Sequence, residues 1–233
     1  DEISYEYYRD RDVATEAFKS GAFDLRAENQ SKRWATAYDF PALKEGKVKK
    51  ILIPHERPTG MQGFVFNTRK DFFSDPKVRL AINYAWDFEW TNKTLMYNAY
   101  KRTNSYFSNS ELSSSGTLPE GEELKILQKF KRQVPKQVFD EVYKAPQTDG
   151  SGNNRKNLRL ALKLLREAGW AVKDGKLVNR NGIPLKFELL IAYPSIERLA
   201  LPLKQSLKRL GIEMSIRTVD VAQYQQRVDT FDF

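Results

Sequence analysis

The sequence predicts a layered α/β or α+β fold, and three observations support that prediction. Helical and strand-like segments alternate along the chain, which is the pattern of a sheet covered by helices. The 233 residues are 40% hydrophobic and 12% aromatic, enough apolar side chains for a hydrophobic core. No apolar run approaches the roughly 20 residues that a membrane-spanning helix needs.

The helices are predicted from the spacing of apolar residues and from the residues at their ends. Asp75 and Pro76 are an N-cap and a first-turn proline, and Gly169 and Gly211 are typical residues just beyond a helix end. Pro202 is expected to kink the helix that contains it. The predicted helices are 11–20, 31–38, two runs between 76 and 96, 120–130, 154–168, 195–210 and 222–228.

The strands are predicted from short apolar or alternating runs. Residues 63–67 form the near-continuous apolar run of a strand that is buried on both faces. Asn181-Gly182 is predicted to be the turn of a hairpin between 176–180 and 184–192. The other predicted strands are 3–8, 22–26, 48–53 and 212–219. Together they predict a mixed β-sheet flanked by helices.

Residues 101–153 are the least regular part of the chain. They are rich in Ser, Asn, Gly and Pro and contain one helix candidate, so a long irregular segment is expected inside a single lobe formed by residues 1–233. Both ends of the chain stop on apolar, strand-like residues, without an initiator Met or a signal peptide. The expectation is therefore an excised piece of a longer protein.

Composition argues against several classes of active site. The chain has no Cys, which removes disulfides and thiolate sites, and its one His, His55, is expected in a solvated loop. Nucleophile-elbow, P-loop and dinucleotide-binding motifs are missing, and acidic pairs such as Asp229 with Asp232 arise by chance. We therefore expect no enzyme, no cofactor and no metal, although a hydrolase completed by flanking sequence remains an alternative.

The net charge of +9 raises nucleic acid as a partner. However, the basic residues are spread along the chain. In the densest stretch, 155–166, they alternate with leucines, which is typical of the wet face of an amphipathic helix. A basic nucleic-acid-binding domain is thus the alternative function and not the leading one.

Candidate binding residues follow two predicted strands. Ligands of open α/β sheets collect beyond the carboxyl ends of the strands, near helix N-termini. Tyr193 and Ser195 follow strand 184–192, and Asp220, Tyr224 and Arg227 follow strand 212–219. The competing interpretation of each is an ordinary surface or capping residue.

Several motifs resemble family 5 extracellular solute-binding proteins, the binding components of peptide, nickel and sugar ABC importers. The signature is Asn-Thr-Arg-Lys at 67–70 followed by Phe-Ser-Asp-Pro-Lys-Val-Arg-Leu-Ala-Ile-Asn-Tyr-Ala-Trp-Asp at 73–87. Similar elements occur, in the family's order, at 18–24, 162–170 with 181–182, and 207–232. Segments 72–76, 97–112 and 116–122 are most similar to the Yej-type branch, which is associated with oligopeptides and microcin C.

The resemblance implies one lobe of a periplasmic binding protein, of the type II kind, that closes by a hinge motion on its ligand. It implies a monomer in the periplasm, an oligopeptide ligand (nickel or a sugar being the alternatives), and delivery to the permease and ATPase subunits of an ABC importer. The matching ligand-facing positions are Tyr193, Ser195, Arg198 and Arg227. Asn67 and Asp87 match signature positions that are structural. The acidic residue that pairs with the peptide's amine is expected shortly after Phe233.

Overall fold

The computed structural model describes residues 2–114 and 116–233, which fall into two compact units. The first unit comprises the described residues up to His55, and the second comprises those from Glu56 to Phe233. The α/β class predicted from the sequence is confirmed. The assignment of all 233 residues to a single lobe stays a prediction.

The first unit is built from three short helices around aromatic side chains. They are α1 (Arg11–Lys19), α2 (Ser31–Thr36) and α3 (Pro41–Lys44). The Asp10 side chain begins α1 by accepting hydrogen bonds from the backbone N–H groups of Asp12 and Val13, at 2.7 and 3.1 Å. Phe18 on α1 is buried, and its ring contacts those of Phe23, Tyr38 and Phe40.

A buried carboxylate organises the polar side of this unit. The Glu28 side chain is only 3% exposed and accepts hydrogen bonds from the Gln30 N–H and the Tyr38 hydroxyl. Two guanidinium groups flank it, those of Arg26 at 3.5 Å and Arg33 at 3.7 Å. Burial raises the pKa of the Tyr38 phenol, so this hydroxyl remains a donor to Glu28.

The second unit contains eight helices and four strands among its described residues. In chain order these are α4 (Asp71–Ser74), α5 (Pro76–Ala85), α6 (Phe88–Leu95), α7 (Gly121–Lys129), α8 (Gln137–Asp140), α9 (Arg155–Glu167), β1 (Ala171–Lys173), β2 (Lys176–Val178), β3 (Lys186–Ile191), α10 (Pro194–Arg209), β4 (Glu213–Thr218) and α11 (Val221–Asp229). The helices predicted from apolar spacing and end residues are thereby confirmed. The one-turn helices α3, α4 and α8 were missed because four residues are too few to display a helical period.

The core of the second unit lies among α5, α9, α10 and the β3–β4 pair. α5 and α9 pack against each other, and α10 packs on β4. Ala81 and Ala85 of α5 are fully buried, which lets the two helix backbones approach closely, and Leu165 and Leu207 fill the interior. Pro202 lies inside α10 without ending it.

The prediction of one mixed sheet is wrong. The described residues form two separate two-stranded sheets, an antiparallel β1–β2 pair and a parallel β3–β4 pair. The predictions of strands at 3–8, 22–26, 48–53 and 63–67 were wrong, since the described residues there have no ladder partner. Residues 63–67 also lack two buried faces: Phe64 and Phe66 pack on the core, whereas Val65 is 79% exposed.

The prediction of a hairpin with its turn at Asn181-Gly182 is also wrong. The tight hairpin joins β1 to β2 at Asp174-Gly175, where both residues have positive φ, as a type I′ turn requires. Around Asn181-Gly182, a looser turn brings Val178 beside Pro184 through a single bridge, and β3 then pairs with β4 instead. The Asp-Gly pair was a sufficient signal in the sequence.

Residues 101–153 are anchored to the rest of the second unit by polar side chains. Within the segment, the Asn104 side chain accepts from the Ala145 N–H at 2.9 Å, and from outside it Asn157 of α9 donates to the Gln147 carbonyl at 3.0 Å. The Thr148 hydroxyl lies 2.5 Å from Asp87 and 3.2 Å from Glu89 at the start of α6. The segment is therefore fixed at its C-terminal end, and its assignment as a loop-rich part of one lobe stays a prediction.

Candidate ligand-binding edge

The parallel pair brings the predicted binding residues to one edge of the sheet. β3 and β4 run in register from Lys186 opposite Glu213 to Ile191 opposite Thr218. One further hydrogen bond, from the Val219 N–H to the Ile191 carbonyl at 3.0 Å, extends the ladder past the strand ends. Both strands therefore finish side by side, and the residues that follow them, from Tyr193 and from Asp220, start at the same edge.

The β3 side of this edge presents an aromatic ring and the start of α10. Tyr193 is the N-cap residue of α10, but its side chain makes no capping hydrogen bond and is 58% exposed. Ser195 is exposed in the first turn, and Arg198 is half-buried one turn later. Among these three residues, Tyr193 offers the largest surface for contact with a ligand.

The β4 side is occupied by the N-terminus of α11. The Asp220 carboxylate accepts a hydrogen bond from the Gln223 N–H at 2.9 Å and so caps the helix. Asp220 is therefore a capping residue in the structure. Tyr224 follows one turn later and is half-buried.

Arg227 is engaged within the chain. Its Nη1 lies 2.9 Å from Glu188 of β3, and its Nε donates to both the carbonyl and the carboxylate of Asp232, at 2.8 and 3.0 Å. The Arg227 side chain is 19% exposed, whereas that of Asp232 is 66% exposed. Asp232 occupies the Nε side of this guanidinium, and the assignment of Arg227 as a ligand contact stays a prediction.

The structural role expected for Asn67 and Asp87 is confirmed. The Asn67 side chain accepts from the Arg69 N–H within its turn and donates to the carbonyls of Phe231 and Phe233, at 2.8 and 3.0 Å. Asp87 caps α6 by accepting from the Trp90 N–H at 3.0 Å. Both side chains hold backbone in place rather than facing an opening.

Two contacts near this edge have no local signal in the amino-acid sequence. Glu188 lies 39 residues from its partner Arg227, and its role appears only when α11 lies back along β3. The Arg69 guanidinium stacks on the Phe231 ring, with 3.4 Å from its carbon to the ring centroid. Phe231 has a φ of 57°, so this stacking and the two bonds from Asn67 hold a residue with uncommon backbone geometry.

Arg102 is a further polar residue, largely removed from solvent, that the analysis of the sequence missed. Its Nη2 donates to the Asn83 side chain at 2.5 Å, and its guanidinium lies 5.4 Å from the centre of the Phe88 ring. Burial lowers the pKa of Arg102, and the charges of Tyr143 and Glu89 oppose that shift. The guanidinium nevertheless remains charged at neutral pH.

Two open depressions are described, and neither is lined by the edge residues. One of about 380 Å³ lies in the first unit beside Tyr7, Arg26 and Arg33. The other, of about 250 Å³, lies between α7 and α8. Within residues 2–114 and 116–233, no three His, Asp or Glu side chains are gathered as metal ligands, and no helix is long and apolar enough to cross a membrane.

The comparisons agree with the resemblance found in the sequence. The model of "bacterial extracellular solute-binding proteins, family 5 Middle" matches residues 1–233. A probable peptide-binding protein YejA of Agrobacterium fabrum is 49% identical over 99% of this chain and 38% of its own length. YejA of Escherichia coli K12 is 45% identical, and the peptidoglycan-binding protein YepA of A. fabrum is 40% identical, each over 100% of this chain and 39% of its own length.

Solved structures of low sequence identity share the fold. Brucella suis NikA in complex with Fe(III)-EDTA aligns with a TM-score of 0.62 at 20% identity, over 97% of this chain and 39% of its own. Bacillus subtilis AppA, bound to a nonapeptide, aligns with 0.55 at 19% identity, over 94% and 36%. A mannohexaose-bound oligopeptide-binding protein of Thermotoga maritima aligns with 0.58 at 20% identity, over 95% and 36%. The chain spans 35–39% of the length of the curated relatives it matches.

Proposed function

Because this chain belongs to the family 5 bacterial extracellular solute-binding proteins, and specifically resembles their Yej-type members, we propose that its full-length protein captures oligopeptides for an ABC importer. The observation that carries the proposal is a family match that extends over residues 1–233. A relative of 49% identity that is named a probable peptide-binding protein supports the peptide as ligand class.

In this proposal the chain contributes one lobe of a two-lobe protein. The ligand lies in a cleft, bound mainly through backbone hydrogen bonds, and closure is a hinge motion that ligand binding selects. The protein works as a monomer in the periplasm and passes its peptide to the permease and ATPase subunits of the importer. No catalytic step and no cofactor are part of this function.

Within the lobe, the carboxyl edge of the β3–β4 pair is the proposed ligand contact. Tyr193 supplies an exposed aromatic face, and Ser195 and Arg198 supply donors beside it. Asp220 and Tyr224 position the start of α11 at the same edge. Arg227 serves the site by keeping α11 against β3 through Glu188, and an acidic ligand group competes with Asp232 for its guanidinium.

The test is a thermal-shift titration of the full-length protein with a mixed pool of tri- to octapeptides. A ligand that binds only the folded state at 100 times its dissociation constant stabilises that state by about 2.7 kcal/mol. We expect a clear rise in the melting temperature. A folded protein whose melting temperature rises with oligosaccharides or nickel but not with peptides would contradict the peptide assignment.

The edge is tested with matched tyrosine variants. Tyr193→Ala is expected to weaken binding of the best peptide on the order of tenfold, because it removes a large amphipathic contact. Tyr106→Ala is the control, since Tyr106 is 74% exposed but lies in the irregular segment 101–153. Equal affinities for wild type and Tyr193→Ala, measured by calorimetry, would remove this edge from the binding site.

The nucleic-acid alternative makes a different prediction. A basic domain that binds nucleic acid through phosphate contacts loses affinity steeply as salt rises. We expect only weak retention of oligonucleotides, without sequence preference, and no competition between an oligonucleotide and the peptide pool. Tight, salt-sensitive oligonucleotide binding in the absence of any peptide effect would reverse the order of the two functions.

A further inference from the structure

The outward face of α9 carries a row of basic residues that the proposed function does not use. We call it the basic stripe. It consists of Arg155, Lys156, Arg159, Lys163 and Arg166, all of them exposed. At 100° per residue these positions fall within about 100° of arc, and at 1.5 Å per residue they extend over about 17 Å of helix. The stripe is therefore a narrow line of positive charge along one side of a straight helix.

No carboxylate neutralises the stripe within the part of the chain that the structure describes. Its five side chains take part in none of the ion pairs there, and the nearest pair joins Lys77 to Glu167 just past the stripe. On other helices, basic residues do have acidic partners one turn away, as in Lys19 with Glu16 and Lys136 with Asp140. The stripe differs from these sites because five exposed cations without an ion pair lie together on the face of one helix.

Two of the cations lie where they oppose the folding of the helix. Arg155 and Lys156 occupy the first turn of α9, which contains no acidic residue. The N-terminus of a helix carries a partial positive charge, so cations there are unfavourable. The side chain of Asn154 does not relieve this, because it makes no capping bond and instead donates to the carbonyls of Tyr84 and Ala85. Residues that break a local stability rule in this way point to a function for the charge.

We propose that the basic stripe adsorbs the protein to an anionic phospholipid surface. A line of cations that is not set in a cavity suits a flat surface of diffuse negative charge. Each Lys or Arg near such a surface adds to the electrostatic attraction. Protein interfaces are instead centred on buried aromatic anchors, and α9 has no aromatic residue. Its opposite face is buried in the core through Leu158, Ala161 and Leu165, so the stripe is presented by a helix that is fixed to the rest of the unit. The proposal is independent of which solute the protein binds.

The experiment measures binding of the whole chain to vesicles of phosphatidylcholine, with and without phosphatidylglycerol. We expect binding only to the vesicles that contain phosphatidylglycerol, and its loss at high salt. The triple variant Arg159→Gln, Lys163→Gln, Arg166→Gln should bind on the order of 100-fold more weakly, from about fivefold for each cation. Its melting temperature is measured alongside, to show that it folds.

The matched control removes three clustered cations elsewhere. Lys129→Gln, Lys131→Gln, Arg132→Gln makes the same change in net charge at exposed positions at the end of α7. This variant should keep most of the affinity. An equal loss in both variants would overturn the proposal, because attraction would then depend on net charge alone. The proposal would also be overturned if the wild-type protein bound both kinds of vesicle equally or neither of them. Binding of duplex oligonucleotides through α9, without binding to vesicles, would overturn it as well.

Discussion

Helices α7 and α9 are both amphipathic and both carry basic residues, but they are stabilised in different ways. α9 buries Asn157, Leu158, Ala161 and Leu165, whereas α7 buries none of its residues. In compensation, the first turn of α7 carries Glu122 and Glu123, and Lys125 pairs with Glu122. α7 follows the electrostatic rules for an isolated helix, and α9 violates them.

The difference shows whether packing or helix-end charge contributes more to the stability of each helix. Tertiary packing of an apolar face contributes several kcal/mol, whereas a charge near a helix end contributes about 0.3–1 kcal/mol. α9 therefore tolerates unfavourable charges because its packing stabilises it regardless. α7 has only the half-buried Leu124 and Leu127 for packing, so its end charges supply a larger share of its stability.

The largest expected effect is on the packing itself. Leu165→Ala removes a side chain with 0% exposure from the centre of the core and should lower the free energy of unfolding by about 2–5 kcal/mol. Leu127→Ala in α7, where the side chain is half-buried, should cost less than about 1 kcal/mol. Urea unfolding followed by circular dichroism measures both, and similar losses would contradict the comparison.

A second pair of variants tests close backbone approach. Gly211 has a φ of +79°, and a Cβ there would lie 2.7 Å from the Leu177 backbone nitrogen, so Gly211→Ala should destabilise by about 2 kcal/mol or more. Gly121, at the start of α7, has a φ of +53° with open space around it, and Gly121→Ala should cost only about 1 kcal/mol. The melting temperatures of the two variants should differ accordingly, and a larger loss at Gly121 would show that α7 is more tightly packed than described.

Charge reversal at the two helix starts should act in opposite directions. Lys156→Glu adds a favourable charge to the first turn of α9 and should stabilise the chain by about 0.3–1 kcal/mol at low salt. Glu123→Lys in α7 should destabilise it by a similar amount. Both effects should shrink in high salt. Stabilisation that persists unchanged in high salt would indicate a contact other than the helix dipole.

The smallest expected effect concerns pH at the start of α1, which resembles α7 in using acidic residues. Hydrogen bonds from the Val13 and Asp12 N–H groups lower the pKa of Asp10 below its ordinary value of 3.8. Because the folded pKa is lowered, the stabilisation is present above pH 3.8 and is lost as pH falls through the folded value. Asp10→Asn should remove this dependence. An NMR titration of the Asp10 carboxyl carbon with a midpoint at or above 3.8 would contradict it.

Helices were predictable because their signals are local. The Asp75-Pro76 start of α5 and the glycine after α9 specify the element boundaries within a few residues. Strands were less predictable, because an apolar run such as 48–53 becomes a strand only if another segment offers a ladder, and that depends on distant sequence. Tyr193 and Asp220 could be placed after the ends of two strands from the sequence, whereas the pairing of Arg227 with Glu188 required the path of α11.

The contact made by Asn67 has a consequence for chain connectivity. Its carboxamide donates to the carbonyls of Phe231 and Phe233, which lie 164 and 166 residues further along. Residues 67 and 231–233 therefore lie side by side, and the Asn67 side chain links the two segments. Loss of the Asn67 side chain should therefore loosen two distant segments at once, its own turn and the backbone at 231–233.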